Sequence, residues 1–252
     1  MLDSVLFYPL LFLVGIVAGT IDSIAGGGGL ITLPSLLAIG LPPHIALGTN
    51  KFQSTFGSFT ASFYYYKHGQ VDLKDSIPGV LYTLLGTVIG TFCVQLISKV
   101  FLSYLIPILL ICIILYTLFT PKLGDLDRKP KLSRKPFYII FGLALGFYDG
   151  FFGPGTGSFW AMAFVIGLGF NLTKATGYTK VMNFTSNITS LLVFTIGGNV
   201  VLSAGIVMGV GEIIGAKIGS GLVIRKGAKF IRPVFIFIVT LTILKILYDR
   251  FI

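Results

Sequence analysis

Three stretches of this chain, Val80 to Ile97, Phe101 to Phe119 and Val234 to Leu247, carry a single charge among them, Lys245. Their lengths approach the roughly 20 residues that an α-helix needs to cross a bilayer. With 54% hydrophobic and only 11% charged residues, and a mean hydropathy of +0.92, the 252-residue chain has far more apolar surface than a soluble domain can bury. The runs therefore read as membrane spans.

A net charge of +10 in a soluble protein would suggest nucleic acid. Here the basic residues fall in short connections between apolar runs, which is the positive-inside pattern, and no nucleic-acid partner is expected. Met1 to Ser4 contains Asp3 and no Lys or Arg, unlike the basic start of a cleavable signal peptide. The first apolar run is expected to remain in the mature protein.

The chain also repeats itself. At an offset of 127, Gly19 falls on Gly146, Asp22 on Asp149, Gly26 on Gly153, Gly28 on Gly155 and Gly40 on Gly167. After a two-residue insertion the offset is 129, and Ala46 falls on Ala175, Gly48 on Gly177, Lys51 on Lys180, Gly86 on Gly215, Gly90 on Gly219 and Phe101 on Phe230. This divides the chain into a first membrane repeat (1–120), a basic linker (121–136) and a second membrane repeat (137–252). Each half reads as a long apolar run, a glycine cluster, a short apolar run and three further helices. The short run of the first half, Gly28 to Gly40, would reach only about 20 Å as a helix against a hydrocarbon core of about 30 Å.

Lysine and arginine positions choose between topologies. An odd number of passes per half places thirteen basic residues on one side (Lys67, Lys74, the six of the linker, Lys174, Arg225, Lys226, Lys229 and Arg232) and only Lys99 and Arg250 on the other. Four passes per half would split them nine to six. The odd count predicts an all-α integral membrane protein of two inverted-topology repeats, each with several transmembrane helices and a glycine-interrupted short or re-entrant helix. The linker is then cytoplasmic and both termini lie outside. Secondary transporters of this plan bind substrate near the midplane, where the halves meet.

The clusters Gly26, Gly27, Gly28, Gly29 and Gly153-Pro154-Gly155-Thr156-Gly157 would each weaken a continuous helix, by about 1 kcal/mol per glycine. Their matched positions suggest irregular backbone lining a cavity, with restarting helices aiming N–H groups at an anion. The alternative is that they only let helices pack closely. With 32 glycines, roughly 13% against a usual ~7%, close contacts are expected elsewhere too, notably at Gly86-xxx-Gly90 and Gly215-xxx-Gly219.

Lys51 and Lys180 each precede a polar helical face, carrying Gln53, Ser54 and Ser58 in one half and Asn183, Ser186 and Asn187 in the other. Together with Asn50 they either line a shared anion site or sit near helix ends and snorkel to headgroups. Asp22 and Asp149 are candidates for coupling transport to a proton or cation, or for pairing with the lysines. Asp22 could also simply terminate its helix. Glu212 and Lys217 lack counterparts in the first half and read as a structural pair.

Neither glycine cluster is a nucleotide loop, since no Gly-Lys-Ser/Thr follows. His44 and His68 are placed in loops, and no HExxH or nucleophile elbow occurs, so no catalytic residue, metal or cofactor is expected. Cys93 and Cys112, with no metal-ligand spacing, read as buried apolar residues.

The segments GIVAGTIDSIAGGGGLITLPSLLAIGLP (15–42), ALGTNK (46–51), YKHGQVD (66–72) and GFYDGFFGPGTGSFW (146–160) resemble the sulfite exporter TauE/SafE family of bacterial membrane transporters. The resemblance spans essentially the whole chain and is closest to the subgroup of probable membrane transporters. It implies transport of sulfite, an organosulfonate or a related sulfur-containing anion across the bacterial inner membrane. By motif it carries over Asn50, Lys51 and both glycine clusters, whereas the second half has Tyr178-Thr179-Lys180 in place of Thr-Asn-Lys, so the halves need not contribute equally. The expected function is secondary transport of a small anion, with proton coupling left open. A passive anion channel and a membrane-bound enzyme of sulfur metabolism are the alternatives.

Overall fold

The computed structural model describes residues 7–118 and 126–227. The expected span Val234 to Leu247, the basic residues Lys122, Lys229, Arg232 and Arg250, and both termini lie outside the described residues. Within them the chain is all helical: α1 (Phe7–Ala25), α2 (Gly29–Ala38), α3 (Pro43–Lys67), α4 (Leu73–Leu96), α5 (Lys99–Leu118), α6 (Arg134–Phe151), α7 (Thr156–Gly167), α8 (Leu172–Ile196) and α9 (Leu202–Lys226). The order long, short, long, long of α1 to α4 recurs in α6 to α9. Helix α6 begins inside the segment expected to be linker, with Ser133 at its N-cap.

Local chemistry sets these boundaries. Helix α1 ends where Gly26 takes φ +79°, and α6 ends before Gly153 at φ +99°, conformations that a side chain disfavours. Asp72 caps α4 by accepting from the Lys74 N–H at 2.9 Å, and Asn171 caps α8 by accepting from the Lys174 N–H at 2.9 Å. Pro43 occupies the first turn of α3, where its missing N–H costs nothing. His44 is therefore not in a loop as expected: it is buried in that first turn, its Nε2 3.1 Å from the Val94 carbonyl.

Helices α1, α4 and α9 are each long and apolar enough to cross a bilayer. Their outward faces carry exposed Leu10, Leu13 and Val17, then Ile77, Leu81 and Ile89, then Ile206, Val210 and Ile218. Helices α3 and α8, at 25 residues each, are long enough but polar, and they form the centre of the bundle. Around them α1 packs on α9, and α4 on α6.

Both outer contacts use glycine in the same way. A Cβ on Gly19 would meet the backbone of Glu212, and one on Gly215 the backbone of Ile16. On the other side, a Cβ on Gly86 would meet the backbone of Leu143, and one on Gly146 that of Thr83. Thr87 and Thr91 donate from this seam to the carbonyls of Gly146 and Gly150 at 3.1 and 3.2 Å. Such stripes let helix backbones touch where no hydrophobic force drives them together.

The interior divides into two plugs. One is largely aromatic, built from Tyr65, Phe137, Tyr138, Trp160, Phe164, Phe170 and Tyr178 with Val71 and Val223. It lies at the end of the bundle that carries Lys67, Lys74, Arg134, Lys135, Lys174, Arg225 and Lys226. The other is largely aliphatic, with Leu11, Leu33, Leu36, Leu47, Val94, Ile106 and Met208, and it lies at the end near Lys99. Helices α1, α3 and α9 run from the aliphatic to the aromatic end, and α6 and α8 run the other way.

Two sequence expectations fail on the outer surface. Cys112 is exposed and Cys93 only partly covered, because a face toward lipid can be as apolar as a core. Glu212 and Lys217 do not pair: Glu212 is buried, while Lys217 lies on the outward face with Ile213, Ile214 and Ile218.

Candidate functional site

The break between α1 and α2 turns the chain back on itself. A Cβ on Gly28 would lie 2.8 Å from the Asp22 Cβ and 3.0 Å from the Ala18 carbonyl oxygen, so the chain returns along the last turns of α1. The Gly28 N–H donates to Asp22 Oδ1 at 3.4 Å, so one N–H at the start of α2 already faces a carboxylate. The two breaks touch each other. A Cβ on Gly26 would lie 2.6 Å from the Gly157 Cα, and Ser158 Oγ donates to the Ala25 carbonyl at 3.2 Å.

Both lysines are fully buried and each is paired with an aspartate of the other half. Lys51 Nζ donates to Asp149 Oδ1 at 2.5 Å, and Lys180 Nζ to Asp22 Oδ2 at 2.9 Å. With 1% and 0% exposure, neither lysine reaches toward headgroups. A buried charge needs such a partner, since an unpaired one costs several kcal/mol at membrane depth. The surroundings of the two pairs differ. Ser186 Oγ donates to Asp149 Oδ2, and Lys51 also reaches Asn187 Oδ1 at 3.4 Å. The Lys180 and Asp22 pair has Glu212 as its charged neighbour.

Amides and hydroxyls complete the polar layer between the plugs. Asn50 Oδ1 accepts from Thr32 Oγ1 at 2.5 Å and from Gln53 Nε2 at 3.1 Å. Asn187 Nδ2 donates to Ser58 Oγ at 3.2 Å. Asn183 Oδ1 and Gln53 Oε1 are buried without a hydrogen-bond partner among the described residues.

A polar cavity of about 30 Å³ lies in this layer, lined by Asp22, Gly26, Gly29, Asn50, Lys51, Ser54, Asp149, Gly153, Gly155, Thr156, Gly157, Asn183 and Asn187. The structure thus brings eleven sequence candidates to one cavity. Gly27, Gly28, Gln53 and Lys180 do not line it: Lys180 sits behind Asp22, and Gln53 behind Asn50. Two further lining residues, Thr156 and Ser54, stand out in the sequence only as members of a glycine cluster and of a polar face. The cavity is far smaller than the roughly 300–1,000 Å³ of ordinary small-molecule sites.

A sequence profile of the family described as "Sulfite exporter TauE/SafE" matches residues 11–246. The chain is 48% identical over 246 residues to a "Probable membrane transporter protein YfcA" of Escherichia coli (strain K12), covering 98% of this chain and 91% of the relative. A "Probable membrane transporter protein" of Haemophilus influenzae is 48% identical over 245 residues, covering 96% and 94%. A "Probable membrane transporter protein YdhB" of Bacillus subtilis is 26% identical over 240 residues, covering 88% and 94%. No solved structure matches. The profile match across almost the whole chain, on top of an all-helical bundle with helices long and apolar enough to span a bilayer, shows that the chain belongs to the TauE/SafE family of membrane transporters.

Proposed function

We propose that this protein is a secondary transporter of a small oxyanion, with sulfite, a sulfonate or a related sulfur-containing anion as substrate, bound between Lys51 and the paired glycine breaks. The observation that carries the reading is the crossed arrangement of Lys51 with Asp149 and Lys180 with Asp22, buried beside the cavity where the breaks meet. Each lysine is ion-paired inside the bundle, and at Lys51, which lines the cavity, a substrate anion can take the place of the aspartate. The four groups sum to zero charge, so an arriving anion is uncompensated unless a proton accompanies it, which favours proton coupling. A narrow polar cavity between two apolar plugs suits a carrier that opens alternately better than a continuous pore.

The inverted arrangement belongs to the same reading, as does the division into repeats 1–120 and 137–252. It is supported by α1 and α3 running opposite to α6 and α8, and by the gathering of basic residues at one end of the bundle. With the linker cytoplasmic in the bacterial inner membrane, a cysteine placed at Lys131 should react with an impermeant maleimide only from the cytoplasmic side. One placed at Lys99 should react only from the periplasmic side, and labelling of both from one side would refute the inversion.

Transport is tested in liposomes holding the purified chain, by uptake of labelled sulfite with and without an imposed proton gradient and with thiosulfate and methanesulfonate as competitors. Saturable flux that rises with the gradient is expected. Folded protein that moves none of these anions would reject the reading.

A further inference from the structure

We propose that Glu212 carries the proton that accompanies the anion, a role that rests on reading the crossed lysine and aspartate pairs as the anion site. Glu212 lies mid-way along α9 and is 1% exposed. Its carboxyl is laid against α3 at Gly57, where a Cβ would stand 3.0 Å from the Glu212 Cδ and closer still to Oε2. Only glycine leaves that room. The charged groups facing it are Asp22 from α1 and Lys180 from α8, and Gln53 of α3 hydrogen-bonds to its carboxyl. Further along its own helix, Tyr64 of α3 approaches Gly221, and the neighbouring Tyr65 hydroxyl is committed to the Ser23 carbonyl at 2.9 Å.

Charge balance assigns the proton. Two lysines face three carboxyls in this layer, and both lysines are already paired, with Asp149 and Asp22. Among the described residues Glu212 forms no ion pair, and its Oε1 has no hydrogen-bond partner. Nor does Gln53 Oε1 on the adjoining helix. An ionised Glu212 leaves these buried acceptors without a donor and adds a third negative charge at membrane depth. A protonated one is neutral and supplies an O–H where a donor is missing. With the proton on Glu212 the five ionisable groups sum to zero and without it to −1, so the site carries the same charge when empty of both as when loaded with a proton and a monovalent anion.

The sign of the coupling follows. An anion that settles in the cavity lined by Lys51 and Asp22 adds negative charge to the polar layer that Glu212 faces and so holds the proton more firmly. By linkage, the proton in turn tightens anion binding by the same factor. Anion and proton therefore load together and leave together, which is symport. The arrangement is one-sided: the repeat places Thr83, whose side chain does not ionise, at the position equivalent to Glu212, and its hydroxyl rests 3.5 Å from Met182 Sδ.

The test separates exchange from net movement in liposomes containing the full chain. Exchange of labelled for unlabelled sulfite at equal pH requires only that the loaded carrier reorient, whereas accumulation driven by a proton gradient requires the proton to leave. Glu212→Gln is a permanent stand-in for the protonated acid. It is expected to keep exchange within about threefold of wild type and to lose gradient-driven accumulation by tenfold or more. A variant that accumulates sulfite like wild type overturns the proposal, and so does a folded variant that loses exchange and accumulation together, because the group would then belong to binding. If the glutamine variant does not fold, Glu212→Asp takes its place. It must keep gradient-driven accumulation with a shifted pH midpoint, and an unmoved midpoint overturns the assignment. Wild type without sulfite exchange is a different failure, because it removes the anion reading and this proposal with it.

Discussion

Lys51→Met is expected to abolish transport and to lower the stability of the detergent-solubilised protein by about 3–5 kcal/mol, because it strands the Asp149 carboxylate in the core. Removing both charges should undo only half of that damage. In Lys51→Met/Asp149→Asn no buried charge is left unpaired, and thermal unfolding should return close to wild type. Flux should stay down roughly 100-fold, the scale of one or two lost charge-assisted contacts to a bound anion. The pair of measurements separates a scaffold lysine from a binding one. If the double variant recovers transport along with stability, Lys51 serves only to hold α3 against α6.

The second large effect is expected where the two breaks touch. Gly26→Ala forces a side chain into φ +79° and drives its methyl to 2.6 Å from the Gly157 Cα, backbone that cannot step aside. The left-handed conformation costs roughly 1–2 kcal/mol and the overlap roughly 1–3 kcal/mol more. Gly157→Ala carries only the overlap, since its own backbone is helical, so it should be the milder of the two. Gly69→Ala is the control, with a comparable φ of +69° and open space around it. Sulfite flux per folded protein should collapse for Gly26→Ala, fall for Gly157→Ala and remain for Gly69→Ala. Equal flux in Gly26→Ala and Gly69→Ala would mean that contact between the breaks does not matter to transport.

The repeat is the reason so much is legible in the sequence. Matching Asp22 to Asp149 and Lys51 to Lys180 picks out residues that the structure gathers in one polar layer, and the glycine clusters point to where helices stop. Pairing is not legible. Sequence alone offers the aspartates as possible lysine partners without saying that each partner comes from the opposite half, because that depends on how α3 and α8 cross in space. The same reliance on symmetry hides Glu212: a residue without a counterpart looks incidental, although among the described residues it is the buried carboxyl of this layer with no ion pair of its own, and that makes it stand out in three dimensions. His44 is misplaced because two consecutive prolines read as a loop, whereas the second opens a helix. Cys112 is misplaced because in a bilayer an apolar neighbourhood does not distinguish inside from outside.

The crossed pairing of charges also ties the two stretches of the chain to each other during folding. Asp22 and Lys51 come from the first stretch, and their counter-ions, Lys180 and Asp149, come from the second. Until α6 and α8 are in place, the first stretch would bury two charges without those partners, at a cost of several kcal/mol each. Each stretch thus supplies the counter-ions of the other.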